Sequence, residues 1–239
     1  MKTILITGAN QGIGFETARQ LAQSGHFVYL GSRDKNKGQE AVNKLKESGI
    51  SNVAWLELDV TNIDSIRQAR QALENKTAAL DVLINNAGIS GEQPQNISTG
   101  KMGNLRQIFE TNFFGVVQTT QQFIPLLKKA AQPVILNVSS EMGSLAIQSD
   151  TTNPNRGLYD AYSCSKTALN AFTVMLANEL KGTGFRINSV TPGYTATNLN
   201  QYKGAKTPGE GASVIVKYAT MDSGAPTGKF FNQEGEVPW

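Results

Sequence analysis

The sequence predicts one α/β domain built around a doubly wound parallel β-sheet with helices on both faces. Two observations carry this prediction. Short apolar segments alternate with longer segments of helical periodicity along most of the 239 residues, a pattern typical of βαβ units. No internal repeat, low-complexity tract or linker divides the chain, so residues 1–239 are expected to form a single domain.

Short apolar runs predict the buried strands of the sheet, because a parallel sheet covered on both faces reads as continuous Val, Ile and Leu. A Phe230–Phe231 pair followed by Gly235 predicts a further strand at one edge. The other predicted strands are Ile4–Ile6, Phe27–Leu30, Val53–Leu58, Val82–Ile84, Val134–Val138 and Ile187–Val190.

Apolar residues at helical spacing predict the helices between these strands. The spacing holds from Ile13 to Ala22 and from Ile63 to Leu73. Longer apolar patterns at Phe109–Leu127 and Ala161–Leu180 predict helices that cover a face of the sheet, and Pro125 is expected to kink or break the first of them. Surface loops are predicted at Ser90–Gly103, Ser149–Gly157 and Gly204–Gly211.

Composition excludes several classes of function. The formal net charge is only +3 and no run of Lys and Arg accompanies it, so neither a nucleic-acid nor a membrane partner is expected. Cys164 is the sole cysteine and His26 the sole histidine, which argues against an internal disulfide, a metal site and Ser–His catalysis. The first apolar run is too short for a signal peptide or membrane span, so a cytoplasmic location is expected.

A glycine-rich turn follows the first predicted strand and opens the first predicted helix. Its sequence, Thr7-Gly8-Ala9-Asn10-Gln11-Gly12-Ile13-Gly14, has the spacing G-x-x-x-G-x-G. Gly8 would permit the tight turn, Gly12 the approach of backbone to phosphate, and Gly14 close packing of helix on strand. A strand, glycine turn and helix in this order predict a dinucleotide pyrophosphate at the helix N-terminus, with a glycine turn that binds nothing as the alternative.

The end of the second strand favours NADP(H) over NAD(H). NAD-binding folds place an acidic residue there to bind the adenosine ribose, whereas this chain has Ser32 followed by Arg33. A guanidinium can hold a 2′-phosphate by charge-assisted hydrogen bonds. The alternative is that Arg33 is a solvated side chain beside Asp34.

Seven motifs in order along the chain resemble those of the short-chain dehydrogenase/reductase family. Arg33-Asp34, Gly38-Gln39 and the ending Gly228-Lys229-Phe230-Phe231 are most similar to its carbonyl-reductase branch. The motifs are Thr7-Gly8 with Gly12-Ile13-Gly14, Leu58-Asp59-Val60, Asn85-Asn86-Ala87-Gly88, Thr111-Asn112-Phe113-Phe114-Gly115, Asn137-Val138-Ser139-Ser140, Tyr162-Ser163-Cys164-Ser165-Lys166 and Pro192-Gly193.

The resemblance implies a Rossmann-type fold and a set of cofactor-binding residues. Asp59 and Val60 would lie near the adenine, the Asn86–Gly88 segment along the ribose, and the segment from Pro192 to Thr197 near the nicotinamide. The full predicted set is Gly8, Asn10, Gln11, Gly12, Ile13, Gly14, Arg33, Asp59, Val60, Asn86, Ala87, Gly88, Tyr162, Lys166, Pro192, Gly193, Thr195 and Thr197.

The chain also departs from the family pattern. Gln11 stands where animal carbonyl reductases place a lysine on the 2′-phosphate, so Arg33 has less help there. The gap from Ser140 to Tyr162 is longer than in the commonest members and much shorter than the insertion of animal carbonyl reductases. The tail lacks the Gly-Gly ending of fatty-acid-synthesis reductases. These departures leave the oligomeric state open among homodimer, homotetramer and monomer.

Tyr162 and Lys166 are the predicted proton-transfer pair. Reducing a carbonyl needs a hydride on carbon, which a nicotinamide supplies, and a proton on oxygen, which the protein must supply. The two residues are four apart on a predicted helix and so share one face. A lysine at ~4 Å in an effective dielectric of ~20 supplies about 4 kcal/mol, enough to lower a phenol pKa by ~3 units. Chance spacing is the alternative, since Tyr202 and Lys206 repeat it in a predicted surface loop.

Ser140 and Asn112 complete the predicted catalytic set. Ser140 follows a strand and could donate a hydrogen bond that polarises the carbonyl, and we prefer it to Ser139 because the family's catalytic serine is the second of this pair. The resemblance implies that Asn112 holds a water in a proton relay. Outside this set, Trp55, Phe113 and Phe114 are expected to pack, Cys164 to be a small core residue and His26 to lie at the surface.

These residues predict an NADPH-dependent reductase of aldehydes or ketones, or the reverse alcohol oxidation, with no metal. Segments 141–160 and 194–213 are predicted to bind substrate. Their apolar residues, Met142, Leu145, Ile147, Tyr194 and Leu199, suggest a small apolar carbonyl or alcohol. The alternatives are a 3-oxoacyl-carrier-protein reductase, for which no basic patch is visible, and a non-catalytic NADP(H)-binding sensor, which would usually have lost Tyr162 or Lys166.

Overall fold

The computed structural model describes residues 1–154, 157–222 and 224–239. Strands and helices alternate through the chain as the sequence predicts. The strands are β1 (Thr3–Thr7), β2 (Phe27–Ser32), β3 (Val53–Glu57), β4 (Val82–Asn85), β5 (Val134–Val138), β6 (Arg186–Val190) and β7 (Phe230–Phe231). The helices are α1 (Gly12–Gln23), α2 (Lys35–Glu47), α3 (Ile63–Glu74), α4 (Met102–Phe109), α5 (Gly115–Leu127), α6 (Leu145–Ser149), α7 (Asp160–Glu179) and α8 (Pro208–Ala219).

Within the described ranges, the seven strands form one parallel sheet in the order β3-β2-β1-β4-β5-β6-β7. The chain winds outward from β1 to β3, returns to β4 beside β1, and then winds outward in the other direction. This reversal opens a crevice at the carboxyl ends of β1 and β4, where ligands bind in open α/β sheets. The predicted single-domain Rossmann-type fold is confirmed.

The core lies on both faces of the sheet. Ile4 and Ile6 of β1 belong to an apolar cluster that packs against α1, α2 and α8. Leu5, between them, belongs to the cluster on the opposite face, which packs against α3, α5 and α7. Alternate residues of one strand therefore enter opposite halves of the core, as the period of two in a strand requires.

The α5–α7 face of the sheet becomes polar toward the carboxyl ends of its strands. Asn85, Asn137 and Ser189 are buried there, one on each of three neighbouring strands. The Nδ2 of Asn85 donates to Asn137 Oδ1 at 2.9 Å, and the Nδ2 of Asn137 donates to Thr173 Oγ1 of α7 at 2.8 Å. This hydrogen-bonded layer fixes α7 on the sheet directly below the crevice.

Some sequence predictions of loops and helices are wrong. The predicted loop Gly204–Gly211 runs into α8, which begins at Pro208 behind a capping box of Thr207 and Glu210. Likewise, α4 begins at Met102 inside the predicted loop Ser90–Gly103. The segment 194–213 also includes the start of α8, and its role in substrate binding stays a prediction. Segment 141–160 contains α6, and its residues 155 and 156 lie outside the described residues.

The predicted helix Phe109–Leu127 is interrupted at another place than expected. A π-helical segment, Glu110–Phe114, separates α4 from α5, whereas α5 continues past Pro125 to Leu127. Pro125 lies in the last turn of α5, so the helix ends soon after it. The helix α2 was not predicted, because its buried stripe consists of Gly38, Ala41, Val42 and Leu45 alone in a strongly polar segment.

Candidate active site

The glycine turn lies at the carboxyl end of β1, against the end of β4. Gly8 and Gly12 have φ of 63° and 58°, in the left-handed region that favours glycine. A Cβ at Gly8 would lie 2.9 Å from Ala87 Cα, so only a glycine lets the two strand ends approach. Helix α1 starts at Gly12, and its N-cap residue Gln11 makes no side-chain cap hydrogen bond. The first N–H groups of α1 are therefore suited to an anion.

Asn86 braces this turn. Its Nδ2 donates to the carbonyls of Thr7 and Gly8 at 2.9 and 3.1 Å. In return, the Thr7 hydroxyl accepts from the N–H groups of Asn86 and Ala87 at 3.0 and 2.9 Å. A Cβ at Gly14 would lie only 2.5 Å from Asn86 Nδ2. The Asn86–Gly88 segment was predicted to lie along a ribose, and the structure adds that the Asn86 side chain holds the glycine turn in shape.

Ser32 and Arg33, at the end of β2, lie in different environments. Ser32 is buried, its Oγ accepting from Trp55 Nε1 at 3.0 Å and donating to the Asp34 carbonyl at 3.2 Å. Asp34 caps α2 by accepting from Lys37 N–H, and Lys37 Nζ lies 3.9 Å from its carboxylate. Arg33 is exposed and makes no ion pair within the described part of the chain. The guanidinium is thus available to a ligand.

Asp59 is held in position at the end of β3. Its Oδ1 accepts from both the N–H and the hydroxyl of Thr61, at 2.9 and 2.7 Å. Its own N–H donates to Ser65 Oγ of α3 at 2.9 Å. Val60 is buried beside it and packs close to Gly115, the first residue of α5. These contacts shape the wall of the crevice beyond Arg33.

Tyr162 and Lys166 lie together in the first half of α7, as predicted. The Lys166 ammonium is buried, donates to the Val138 carbonyl at the end of β5 at 2.8 Å, and lies 5.7 Å from the centre of the Tyr162 ring. It also lies near Gly88, where an added Cβ would be 3.7 Å from Nζ. The pair therefore lies between the ends of β4 and β5, at the crevice. Tyr202, by contrast, is exposed with a φ of 61°, consistent with a surface loop.

Burial moves the two pKa values of this pair in opposite directions. Desolvation raises the pKa of Tyr162 to about 12, an effect that a hydrogen bond with the Ser140 side chain partly offsets. Desolvation lowers the pKa of Lys166 to about 8. The expected lowering of the phenol pKa by Lys166 is therefore outweighed by desolvation. That expectation counted the Coulomb attraction of a cation at ~4 Å and left out the cost of burying both groups.

Ser140, and not Ser139, faces Tyr162. Ser140 has extended backbone after β5, and its Oγ accepts from the Met142 N–H at 3.2 Å while hydrogen-bonding Tyr162. Ser139 turns its side chain into the protein, where its buried Oγ has no hydrogen-bond partner among the described residues. The alternation of a strand thus directs the second serine of the pair to the crevice.

Asn112 lies at the centre of the π-helical segment and connects three parts of the site. Its Oδ1 accepts from the N–H of Ile89 and its Nδ2 donates to the Ile89 carbonyl, both at 2.9 Å. The same Nδ2 donates to Ser165 Oγ at 3.1 Å, and Ser165 Oγ donates to the Tyr162 carbonyl at 2.7 Å. Asn112 therefore links the segment after β4 to α7, the helix that carries Tyr162 and Lys166. Its implied role in holding a water stays a prediction.

The segment after β6 crosses toward the glycine turn. Gly193 has a φ of 74°, and the Thr195 hydroxyl is used within the loop, 3.3 Å from the Pro192 and Gly193 carbonyls. Asn200 fixes the loop by donating to the Thr195 carbonyl and accepting from the Thr197 N–H. Thr197 reaches Gly12, where an added Cβ would lie 3.5 Å from Thr197 Cγ2. Residues Pro192–Thr197 thus form the wall of the crevice opposite β4.

Large apolar side chains are exposed in the two segments that were predicted to bind substrate. Leu145, Tyr194 and Leu199 are 64%, 58% and 43% exposed, although each is large and apolar. Leu158, just before α7, is 52% exposed and was missed in the sequence, where nothing distinguishes it from an ordinary loop residue. We call these four side chains the apolar rim, and exposed apolar groups of this kind suit an apolar ligand.

The chain's last residues pack on the segment after Ser140. The Trp239 carbonyl accepts from the Ala146 N–H at 2.8 Å, and the Pro238 carbonyl accepts from Ser144 Oγ at 2.7 Å. The Trp239 ring stacks on Phe230 of β7, with ring centres 5.7 Å apart. Ser144 caps α6 with the same hydroxyl. The tail therefore holds in place the segment that carries Met142 and Leu145.

Three residues outside the crevice, Cys164, His26 and Phe113, also had predicted positions. Cys164 is exposed on α7, so its placement in the core is wrong: the buried stripe of α7 passes through Ser165 and Lys166 instead. His26 is half-buried and accepts a hydrogen bond from the Lys2 N–H. Phe113 packs edge-on against Phe114, which is 47% exposed.

Neither a membrane-spanning helix nor a metal centre is present in the described part of the chain. None of its helices combines the length and apolar character needed to cross a membrane. Within the same residues, no three His, Cys, Asp or Glu side chains come together in a way that could hold a metal ion.

Comparison with known proteins assigns the family. The model of the short chain dehydrogenase family matches residues 2–208, most of the chain. The chain belongs to the short-chain dehydrogenase/reductase family. It is therefore an oxidoreductase of a family whose members bind nicotinamide cofactors.

Individual relatives match over nearly their whole length. The (+)-neomenthol dehydrogenase of Capsicum annuum is 33% identical, over 95% of this chain and 94% of its own. The structure of salutaridine reductase from Papaver somniferum has a TM-score of 0.87 at 30% identity, covering 98% of this chain and 100% of that one. NADPH-bound carbonyl reductase from chicken fatty liver has a TM-score of 0.87 at 29% identity, covering 100% and 99%.

Proposed function

We propose that the protein reduces an aldehyde or ketone to an alcohol with NADPH. One observation carries the proposal: Ser140, Tyr162 and Lys166 converge at the crevice, one strand from a glycine turn whose helix N-terminus has no side-chain cap. Of the three relatives named above, one is a dehydrogenase and two are reductases, and one of these, a carbonyl reductase, was solved with NADPH bound. Their chemistry supports the same reaction class here.

The residues of the crevice fit a dinucleotide. Gly8 and Gly14 let β1, the end of β4 and α1 pack closely, since a Cβ at either would meet Ala87 or Asn86, and the first N–H groups of α1 would bind the phosphate oxygens. The exposed Arg33 guanidinium would hold a 2′-phosphate. The Ser32 hydroxyl would take no part, because it is buried and accepts a hydrogen bond from Trp55. When bound, the nicotinamide supplies the hydride that reduces the carbonyl carbon.

The catalytic side chains supply the rest of the reaction. Ser140 donates a hydrogen bond to the carbonyl oxygen, and Tyr162 transfers its phenolic proton to that oxygen as the hydride reaches carbon. The high pKa of Tyr162 keeps the phenol protonated near neutral pH, as a proton donor requires. Lys166, which is mostly protonated near neutral pH at a pKa of about 8, stabilises the resulting phenolate by its charge until a proton from solvent restores the phenol. Asn112 keeps α7 in register with the segment after β4.

The apolar rim indicates the class of substrate. Leu145, Leu158, Tyr194 and Leu199 would cover a small apolar carbonyl compound or the corresponding alcohol. Experiment distinguishes this function from the two alternatives. These are reduction of a 3-oxoacyl group on a carrier protein and cofactor binding without catalysis. The cytoplasmic location expected from the sequence stays a prediction, and so does the choice among monomer, dimer and tetramer.

The test is NADPH oxidation over a panel of aldehydes, ketones and quinones, with NADH and a 3-oxoacyl thioester in parallel. We expect turnover of apolar ketones or aldehydes, and a loss of about 10²–10⁴-fold in kcat in Tyr162→Phe, which removes the acid and leaves the ring. NADPH binding, followed by fluorescence, should survive. Tyr202→Phe, in the Tyr202/Lys206 pair of equal spacing, is the control and should retain full activity. Unchanged turnover in Tyr162→Phe would remove the mechanism.

A further inference from the structure

Gln95 joins the segment after β4 to the first turn of α7. The side chain is buried, with 4% of the residue exposed, in a loop whose neighbours Gln93 and Asn96 are exposed. Its Oε1 accepts from the backbone N–H of Tyr162 at 3.0 Å, and its Nε2 donates to the Ser90 carbonyl at 2.6 Å. Both ends of the amide are thus bonded, one of them to the backbone of the proton donor itself.

The first turn of α7 needs such a partner. An α-helix leaves its first four N–H groups without an intrahelical acceptor. The N-cap residue Tyr159 offers no side-chain acceptor, and its carbonyl serves the N–H of Ser163. The N–H of Tyr162 is one of the groups left over, and Gln95 supplies its acceptor from a different segment of the chain.

The backbone of Tyr162 is therefore held by side chains at both of its polar groups. Ser165, itself bonded to Asn112, donates to the Tyr162 carbonyl at 2.7 Å, while Gln95 binds the N–H. The Gln95 loop is anchored elsewhere as well: Gln93 Nε2 donates to the Leu158 carbonyl at 2.8 Å. Fixing the backbone of Tyr162 fixes the origin of its side chain, and proton transfer is sensitive to displacements of the donor of about 1 Å.

We propose that Gln95 is a positioning residue for Tyr162, acting through the hydrogen bond from the Tyr162 N–H. The proposal rests on the proposed function, because it assigns Gln95 a role in the proton-transfer step. It predicts that loss of the acceptor lowers kcat and leaves cofactor and substrate binding nearly unchanged, since Gln95 touches neither the glycine turn nor the exposed rim.

The experiment compares three variants. Gln95→Met keeps the size and removes both hydrogen bonds, whereas Gln95→Glu keeps an acceptor for the Tyr162 N–H and remains hydrophilic. Gln93→Met is the matched control, since it removes a bond from the same loop to Leu158 and not to Tyr162. Each is assayed near neutral pH for kcat, KM and NADPH affinity, and amide hydrogen exchange of the peptide spanning residues 159–166 is followed by mass spectrometry.

We expect Gln95→Met to exchange faster at the start of α7 and to lose about tenfold in kcat, with KM and NADPH affinity within about twofold of the parent protein. Gln95→Glu should restore both properties, and Gln93→Met should change neither. Unchanged exchange in Gln95→Met overturns the proposal, as does faster exchange with unchanged kcat. A Gln95→Glu variant as impaired as Gln95→Met overturns it too, because size and burial would then explain the loss.

Failure of the proposed function gives a different pattern. The parent protein would then oxidise no NADPH with any carbonyl, and Tyr162→Phe would match it. The positioning role in proton transfer falls in that case, even if exchange at residues 159–166 still responds to Gln95→Met.

Discussion

Single residues of the site owe their properties to burial as much as to chemical type. Tyr162, Lys166 and Ser140 are recognisable in the sequence by spacing and by family motif, and the structure brings them together. Their pKa values could not be predicted, because desolvation depends on how far each group lies from water and not on which residue stands four positions away. The exposure of Cys164 could not be read either, since Ser165 and Lys166 are polar residues that occupy the buried stripe.

The Arg33 side chain is predicted to set the preference for NADPH over NADH. Arg33→Ala should raise KM for NADPH about tenfold or more and leave KM for NADH within about twofold, because a charged hydrogen bond to phosphate is lost and only NADPH has the 2′-phosphate. Steady-state kinetics with both cofactors measure it. Lys37→Ala removes the same charge nearby, from a side chain already close to Asp34, and should change neither value by more than about twofold. An equal effect of Arg33→Ala on both cofactors would contradict the 2′-phosphate site.

Strands and helices hold these residues in position, and the sequence predicts the strands better than the helices. The strands could be predicted because buried parallel strands are continuous apolar runs, as in Val134–Val138. The helix α2 was missed because its apolar face is narrow, and α8 because its glycine-rich start was taken for a loop. The π-helical segment around Asn112 leaves no signal in composition, since it is set by the contacts that Asn112 makes with Ile89 and Ser165. Gln95 was missed as well, because its contacts with Ser90 and Tyr162 leave no signal in composition.

The β1–α1 unit yields a prediction on element packing. Gly14→Ala should destabilise the fold by about 1–3 kcal/mol and weaken NADPH binding, because the new methyl group would meet Asn86 Nδ2 and the Gly8 carbonyl at 2.5 and 2.7 Å. Thermal unfolding and NADPH titration measure the two effects. Gly103→Ala in α4 is the control: nothing lies within 4 Å of its added methyl group, so helix propensity should leave its stability equal or higher. Wild-type NADPH affinity in Gly14→Ala would count against the assigned glycine turn.

At the scale of the whole molecule, the sheet assembles chemistry from distant parts of the chain. The end of β1, the end of β5 and the start of α7 meet because the strand order reverses between β1 and β4. That arrangement was predictable from the alternation of strands and helices. Its effect on stability was not predictable, because the pKa of the lysine beneath the crevice is lowered only in the folded state.

Lys166 should therefore give the free energy of unfolding a pH dependence. Its folded pKa is about 8, below its ordinary value of 10.5, so the unfolded chain binds more protons between these values and stability rises with pH. Relative to Lys166→Met, the protein should gain ~2 kcal/mol between about pH 7.5 and 10. Urea unfolding of both proteins across this range measures the difference. Lys128→Met, at an exposed position, serves as control. If the difference in free energy of unfolding between the parent protein and Lys166→Met did not change with pH, the lowered pKa of Lys166 would be refuted.

The docking of the chain's last residues has a consequence for how such an enzyme changes over time. Ser144 and Ala146 take their partners from Pro238 and Trp239, so the mouth of the pocket is shaped from a place remote in sequence from any reacting group. Substitutions there would widen, narrow or tilt the proposed substrate entrance while Tyr162, the proposed proton donor, and the glycine turn stay untouched. Under the proposed function, selectivity and catalytic power would be separately adjustable.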